Sequence, residues 1–287
     1  MRGLSGFLID HPLIKLRIRI EDVEKLFIHE EVIPELLNRL ILEIRGDGVV
    51  KHPVIVDENS LVVLDGTHRV EAIKRIGCKY IPVCLVDYSN PNIAVGAWYR
   101  LVESPIEPKV VLNIIKDLNL KAKEEKSSNA YRLVAGRRAI MALISRMESY
   151  IINNSSYDIK EVYDIVREVE NRLRINGYNV TYDTELGSME AIRRGRASLI
   201  LAIPTILKQE VVRVALSRRV FTHKSTRHII PARPLFINIP LDWLHGRLSY
   251  TDINEMLVKY LASKKIKHLP PGQVIDRRYE EELYIFT

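Results

Sequence analysis

The sequence predicts a two-domain α/β (α+β) protein. Its 287 residues are about twice a typical domain, which favours two compact units sharing a cleft. Short stretches in which apolar and charged residues alternate are interleaved with stretches in which apolar residues recur every three or four positions. Hydrophobic residues make up 47% and charged residues 28%, enough apolar surface for a substantial core and too much for a disordered chain.

Residues 13–20 alternate Leu13, Lys15, Leu16, Arg17, Ile18, Arg19 and Ile20, the pattern of a strand with one solvated face. In residues 31–44, Val32, Ile33, Leu36, Leu37, Leu40, Ile41 and Ile44 keep helical spacing. Pro34 fits there because a first turn has no need of its N–H, and Arg45-Gly46-Asp47-Gly48 ends the helix. Residues 54–56 and 61–64 read as two strands joined through Asp57-Glu58-Asn59-Ser60, the composition of a hairpin turn. A short helix carrying Val70, Ile73 and Ile76 stops at Gly77, and residues 81–86 return as a strand.

A boundary is expected near residue 105, dividing a domain of residues 1–105 from one of residues 106–287. Beyond it, residues 107–118 read as a helix and residues 121–129 as a charged linker or exposed turn. Ile159, Val162, Val166, Val169 and Leu173 predict an amphipathic helix over 158–175. Strands are expected at 178–182, 197–203 and 235–239, with helices near 205–218 and 250–263. Residues 264–272 are expected to form a basic, proline-containing excursion.

Several function classes are disfavoured. No apolar run approaches the roughly 20 residues of a membrane helix, and residues 1–10 lack the pattern of a secretory leader, so a cytoplasmic protein without membrane partners is expected. Cys78 and Cys84 are the only cysteines, spaced neither as a zinc knuckle nor as a redox pair, and read as buried small hydrophobes. A formal charge of +7 suits a polyanionic partner, nucleotide as well as DNA. The scarcity of glutamine, present only at Gln209 and Gln273, gives the composition a hyperthermophile bias.

The sharpest feature is Asp65-Gly66-Thr67-His68-Arg69, where a strand enters a glycine turn and then a helix with basic first residues. Helix N-terminal N–H groups carry partial positive charge, Gly66 permits close backbone approach, and His68 and Arg69 add donors, which together outline a phosphate site. An ordinary turn with a solvated Arg69 is the plain alternative. No Walker A loop or dinucleotide fingerprint is present, and His29-Glu30 lacks the second histidine of a zincin.

Strand, D-G-x-H-R, short helix, Gly, strand resembles the ParB/sulfiredoxin superfamily, and most closely its free serine kinase branch. The resemblance extends to His29-Glu30, Asp87-Tyr88, Trp98-Tyr99 and Lys224-Ser225-Thr226-Arg227-His228. It leaves insertions around 121–155 and after 241. Sulfiredoxins carry a cysteine before His-Arg where this chain has Thr67, which argues against that chemistry. ParB proteins carry a helix-turn-helix domain that is not evident here, so a nucleotide-regulated DNA-binding protein is the alternative, and no nucleic-acid partner is expected.

The resemblance implies a kinase that phosphorylates free L-serine to O-phospho-L-serine, supplying cysteine or related biosynthesis, with ADP or ATP as donor and Mg²⁺ as cofactor. It implies Glu30 as catalytic base, with Glu31 and Glu35 as near rivals in sequence. Asp65 would bind the metal or orient the serine hydroxyl, and Gly66, Thr67, His68 and Arg69 would hold phosphate. Trp98, Ser225, Thr226, Arg227 and His228 would recognise serine, Arg227 through its carboxylate; Trp98 by itself reads more readily as a core aromatic than as a pocket wall.

Overall fold

The computed structural model describes residues 6–153 and 158–287. The first five positions of the leader reading and the end of the expected 121–155 insertion lie outside these. The chain divides into two compact units. The first comprises the described part of Met1–Ala94, with Val211–His223 and His228–Thr287; the second is Val95–Glu210 with Lys224–Arg227.

In the first unit a five-stranded sheet has the order Phe7–His11, Ile14–Asp22, Tyr80–Val86, Val54–Asp57, Val63–Asp65. Strand Ile14–Asp22 buries Leu16, Ile18 and Ile20 completely, as the alternation requires. Val54–Asp57 and Val63–Asp65 pair antiparallel, as the hairpin reading expected. Val54–Asp57 also runs parallel to Tyr80–Val86, and helix Thr67–Ile76 lies in the connection between them. Both of these strands are buried along their length, the condition of a parallel pair covered on both faces.

Helix Pro34–Asp47 starts three residues later than residue 31, with Pro34 at its first position, and ends at Gly48. It packs against helix Thr67–Ile76, which ends at Gly77. Cys78 and Cys84 are free and buried, and burial raises their thiols to about 11 and about 12, so both behave as small hydrophobes.

The C-terminal region returns to this unit, which differs from the single boundary expected near residue 105. Helix Tyr250–Ala262 packs on strand Ile14–Asp22. There the buried Asn254 side chain accepts from Ile20 N–H at 2.9 Å and donates to Ile20 C=O at 3.1 Å. Ala232–Leu235 runs parallel to Glu282–Phe286, which pairs antiparallel with Ile266–Leu269. The expected excursion at 264–272 therefore contains a strand, and the strand expected at 235–239 is replaced by Ala232–Leu235 and the two-residue Ile239–Pro240.

The second unit carries a six-stranded antiparallel sheet in the order Val180–Asp183, Tyr99–Val102, Leu199–Ala202, Met141–Ile144, Ser149–Asn153, Lys121–Glu124. The amphipathic helix is Ile159–Ile175, opened by a capping box between Asp158 and Glu161. The linker expected at 121–129 is instead the edge strand Lys121–Glu124 and the start of helix Ser127–Ala135. All four residues of that strand are exposed. Backbone pairing with Ser149–Asn153 is enough to form it, and lysines are the residues that keep such an edge from recruiting another chain.

Candidate active site

Asp65 ends its strand and Gly66 precedes helix Thr67–Ile76. Gly66 has φ 101°, a left-handed conformation that glycine adopts without the steric cost of a side chain. A Cβ there would also stand 2.7 Å from Nη2 of Arg69. Arg69 therefore folds back across the turn, and a side chain at position 66 would have to displace its guanidinium. Gly66 caps the helix with no side-chain hydrogen bond, so the first-turn N–H groups keep the partial positive charge that attracts anions.

The Asp65 carboxylate is 41% exposed and meets two guanidiniums. Arg233 Nη1 donates to Oδ2 at 2.6 Å, and Arg69 Nη2 lies 3.6 Å from the same oxygen. Burial pushes the Asp65 carboxyl up, but Arg233, Arg69 and Arg277 together outweigh it and hold the group well below the usual carboxylate range. Arg233 is itself buried and also pairs through Nε with Glu281. The Nε of Arg69 is buried without a hydrogen-bond partner.

Asp65, Arg69 and Arg233 line a cavity of about 180 Å³, together with His52, Asp276, Arg277 and Tyr279. His52 Nδ1 accepts from Phe236 N–H at 3.1 Å. Burial, and next the Arg69 charge, lower this imidazole to about 4, so it is neutral at pH 7 with its proton on Nε2.

The other expected residues of this region fall into two further arrangements. Thr67 opens the helix. His68, expected to add a donor for phosphate, uses its Nε2 to accept from Ile33 N–H at 2.9 Å. It thereby satisfies the backbone N–H of Ile33, the cap residue of helix Pro34–Asp47, as the N3 side chain of a capping box does elsewhere.

Glu30 makes a parallel bridge with Phe221, flanked by bonds from Phe221 N–H to His29 C=O and from Glu31 N–H to Phe221 C=O. His29 is buried, and its Nδ1 donates to Val63 C=O at 2.6 Å. Burial lowers the His29 imidazole, so its Nε2, 3.9 Å from Glu30 Oε1, carries a lone pair. The His228 ring stands edge-on to His29 at 5.2 Å. Burial also raises the Tyr88 phenol, and its hydroxyl is hydrogen-bonded to His228 Nε2 at 2.7 Å.

In the second unit, Trp98 is half-buried and its Nε1 donates to Thr226 C=O at 3.0 Å. Lys224 Nζ stands 4.6 Å over the Trp98 ring, and the Arg227 guanidinium lies against Gly96. Ser225 is fully buried and Thr226 nearly so. The Ser225 carbonyl, not its side chain, is the group that accepts from Tyr163 O–H. This polar cluster is therefore partly internal.

Sequence reasoning did not single out Arg233, Arg277, Tyr279 or His52. The one available signal was Arg233 itself, a lone charge within Ala232-Arg233-Pro234-Leu235. A charge in such an apolar strand needs a partner.

Fold and site together define a mixed α/β protein with a glycine turn that opens a helix beside paired guanidiniums. No family model matches the chain. It is 31% identical over 231 residues, 78% of this chain and 89% of the relative, to an ATP-dependent L-serine kinase of Staphylothermus marinus. It is 23% identical, over 82% of this chain and 96% of the relative, to an ADP-dependent L-serine kinase of Thermococcus kodakarensis. A solved free serine kinase in complex with AMP matches at TM-score 0.68 and 20% identity, covering 85% of this chain and 98% of that one. The chain belongs to the free L-serine kinase family of the ParB/sulfiredoxin superfamily.

Proposed function

We propose that this protein transfers the terminal phosphoryl group of an adenine nucleotide to the hydroxyl of free L-serine, giving O-phospho-L-serine. The observation that carries this reading is the 31% identity with an L-serine kinase across 78% of the chain. The glycine turn, the ionised Asp65 and the guanidiniums beside it supply chemistry suited to that reaction.

A serine hydroxyl ionises far above pH 7, so a positioned carboxylate must take its proton as the oxygen bonds to phosphorus. Glu30 is that acceptor in our reading. As the new P–O bond forms, the bond from phosphorus to the bridging oxygen breaks, and the nucleotide leaves one phosphate shorter. Gly66, Thr67, His68 and Arg69 hold the donor's phosphates, through backbone N–H groups and the Arg69 guanidinium. Arg227 receives the serine carboxylate, with Thr226 and His228 beside it and Trp98 as an apolar wall. Tyr88, through its bond to Nε2, sets the His228 ring.

Among the described residues no group of three or more His, Cys, Asp or Glu side chains could hold a metal. Mg²⁺ rarely uses such a cage: it keeps waters and takes one or two carboxylates together with substrate phosphates. Asp65 fits that role, being ionised and partly exposed, with its ion pairs to Arg233 and Arg69 made through Oδ2. A bound Mg²⁺ would neutralise phosphate charge during transfer.

The test is direct. The purified protein is incubated with L-serine, Mg²⁺ and either ATP or ADP, and phosphoserine is detected by mass. Product with one donor is expected and identifies it; none with either overturns the reading.

A further inference from the structure

The segment after residue 241, which the family resemblance leaves as an insertion, places Arg277, Tyr279 and Glu281 around Asp65 and Arg69. Arg277 is the most exposed guanidinium of the cavity: its side chain is 52% exposed, against 19% for Arg69 and 8% for Arg233. Its guanidinium lies 4.3 Å over the Tyr279 ring and 3.5 Å from Glu281 Oε1. Tyr279 is held in turn by its O–H bond to Asp276 at 2.8 Å. Arg277 is thus pre-oriented at the cavity while keeping donors exposed.

The cavity lining points to a compact anion. Three guanidiniums face it, one with an unsatisfied buried Nε, and neutral His52 adds an Nε2–H. At about 180 Å³ it is smaller than the ~300–1,000 Å³ of pockets that enclose drug-sized ligands, so it suits phosphate groups rather than a whole nucleotide. Guanidinium forks match phosphate oxygens bidentately.

We infer that Arg277 is a donor-binding residue, which together with Arg69 grips the outer phosphates of a polyphosphate and makes donor affinity depend on the C-terminal segment. This rests on the kinase reading for the identity of the donor, but the anion site itself does not. Binding of ATP, inorganic pyrophosphate and adenosine is measured by calorimetry on the full chain, for wild type, R277A and R277K. R277A should weaken ATP and pyrophosphate by about tenfold or more, the scale of one hydrogen bond to a charged group, and leave adenosine unchanged. R277K should fall between, keeping the charge without the fork.

Equal pyrophosphate affinity in wild type and R277A overturns the inference, as does an equal loss for adenosine and ATP. Because Arg277 is half-exposed, the variant is expected to keep the wild-type melting temperature, which the same samples report. Pyrophosphate binding that depends on Arg277, in a protein making no phosphoserine, would sink the kinase reading and leave the anion site standing. Phosphoserine formation with an unchanged donor KM in R277A would do the reverse.

Discussion

Two buried arginines, one in each unit, face opposite situations. Arg233 bridges Asp65 and Glu281 at the edge of a cavity, and its partner Asp65 is 41% exposed. Arg100 has no exposure at all. It donates to Glu170 at 3.2 Å and to Trp98 C=O at 2.7 Å, with its guanidinium carbon 5.9 Å from the Tyr163 ring and 5.3 Å from the Tyr182 ring. Both are charges in apolar strands, yet one network opens on space a ligand could occupy and the other is sealed. The difference teaches that a buried charge alone does not mark a site; a buried charge whose partner is half open to solvent does. Chemistry should then follow the first network and stability the second.

The largest expected effect tests the chemical side. Glu30→Gln keeps shape and removes the proton acceptor we propose, so turnover should fall by roughly 10²- to 10⁴-fold, the range for loss of a general base, with serine and nucleotide affinity nearly unchanged. A variant retaining most of its turnover in a phosphoserine assay would move the base to Glu31 or Asp65.

The next effect tests the sealed network. Arg100→Ala strands Glu170 with part of its charge uncompensated, although Arg174 Nη2 at 3.0 Å still pairs with it. Breaking a buried pair costs about 3–5 kcal/mol, so the unfolding free energy from denaturant titration should fall by an amount at the lower end of that range. A loss below about 1 kcal/mol would mean that the network is as labile as a surface pair.

The legible parts of the fold were those where one face is apolar and the other polar. Strand Ile14–Asp22 and helices Pro34–Asp47 and Ile159–Ile175 show their period directly. The hairpin from Val54 to Asp65 and the D-G-x-H-R turn were readable because glycine and turn residues mark backbone geometry locally. Lys121–Glu124 was not readable, since an exposed edge strand is held by its neighbour's backbone and leaves no apolar pattern. The partition of the chain was hidden for a related reason: Asn254 binds Ile20 across 234 positions, and no local signal carries such a pairing. The same distance hid Arg233 and Arg277. Each is an ordinary basic residue until folding sets it beside Asp65, 168 positions away in the case of Arg233.

Arg69→Ala sharpens the comparison at the open network. The guanidinium packs on Gly66 and keeps a buried Nε without a partner, so little folding energy depends on its hydrogen bonds. Nucleotide affinity should fall by about 1.5–3 kcal/mol, the range for a hydrogen bond to a charged group, while the melting temperature moves little. Unchanged affinity by calorimetry would show that the turn is merely a capped helix start.

The smallest effect is a pH dependence at Asp65. Its carboxyl is held low in the folded protein because Arg233, Arg69 and Arg277 outweigh the effect of burial, so folding favours the ionised form. A depressed carboxyl contributes stability above the unfolded value near ~3.9, and that contribution fades as pH falls below it toward the folded value. Asp65→Asn removes this term and should cost stability at pH 7 but progressively less from about pH 4 downward. With the side chain 41% exposed, solvent screens the attraction, and the loss should be on the order of 1 kcal/mol, the upper end for exposed pairs. Arg233 keeps Glu281 in the variant, which limits the damage further. Melting curves of wild type and variant between pH 7 and pH 2 should therefore converge on the acid side. A gap that widened with acidity would mean that the guanidiniums do not stabilise the Asp65 charge, and the open network would lose the ion pair on which its contrast with Arg100 rests.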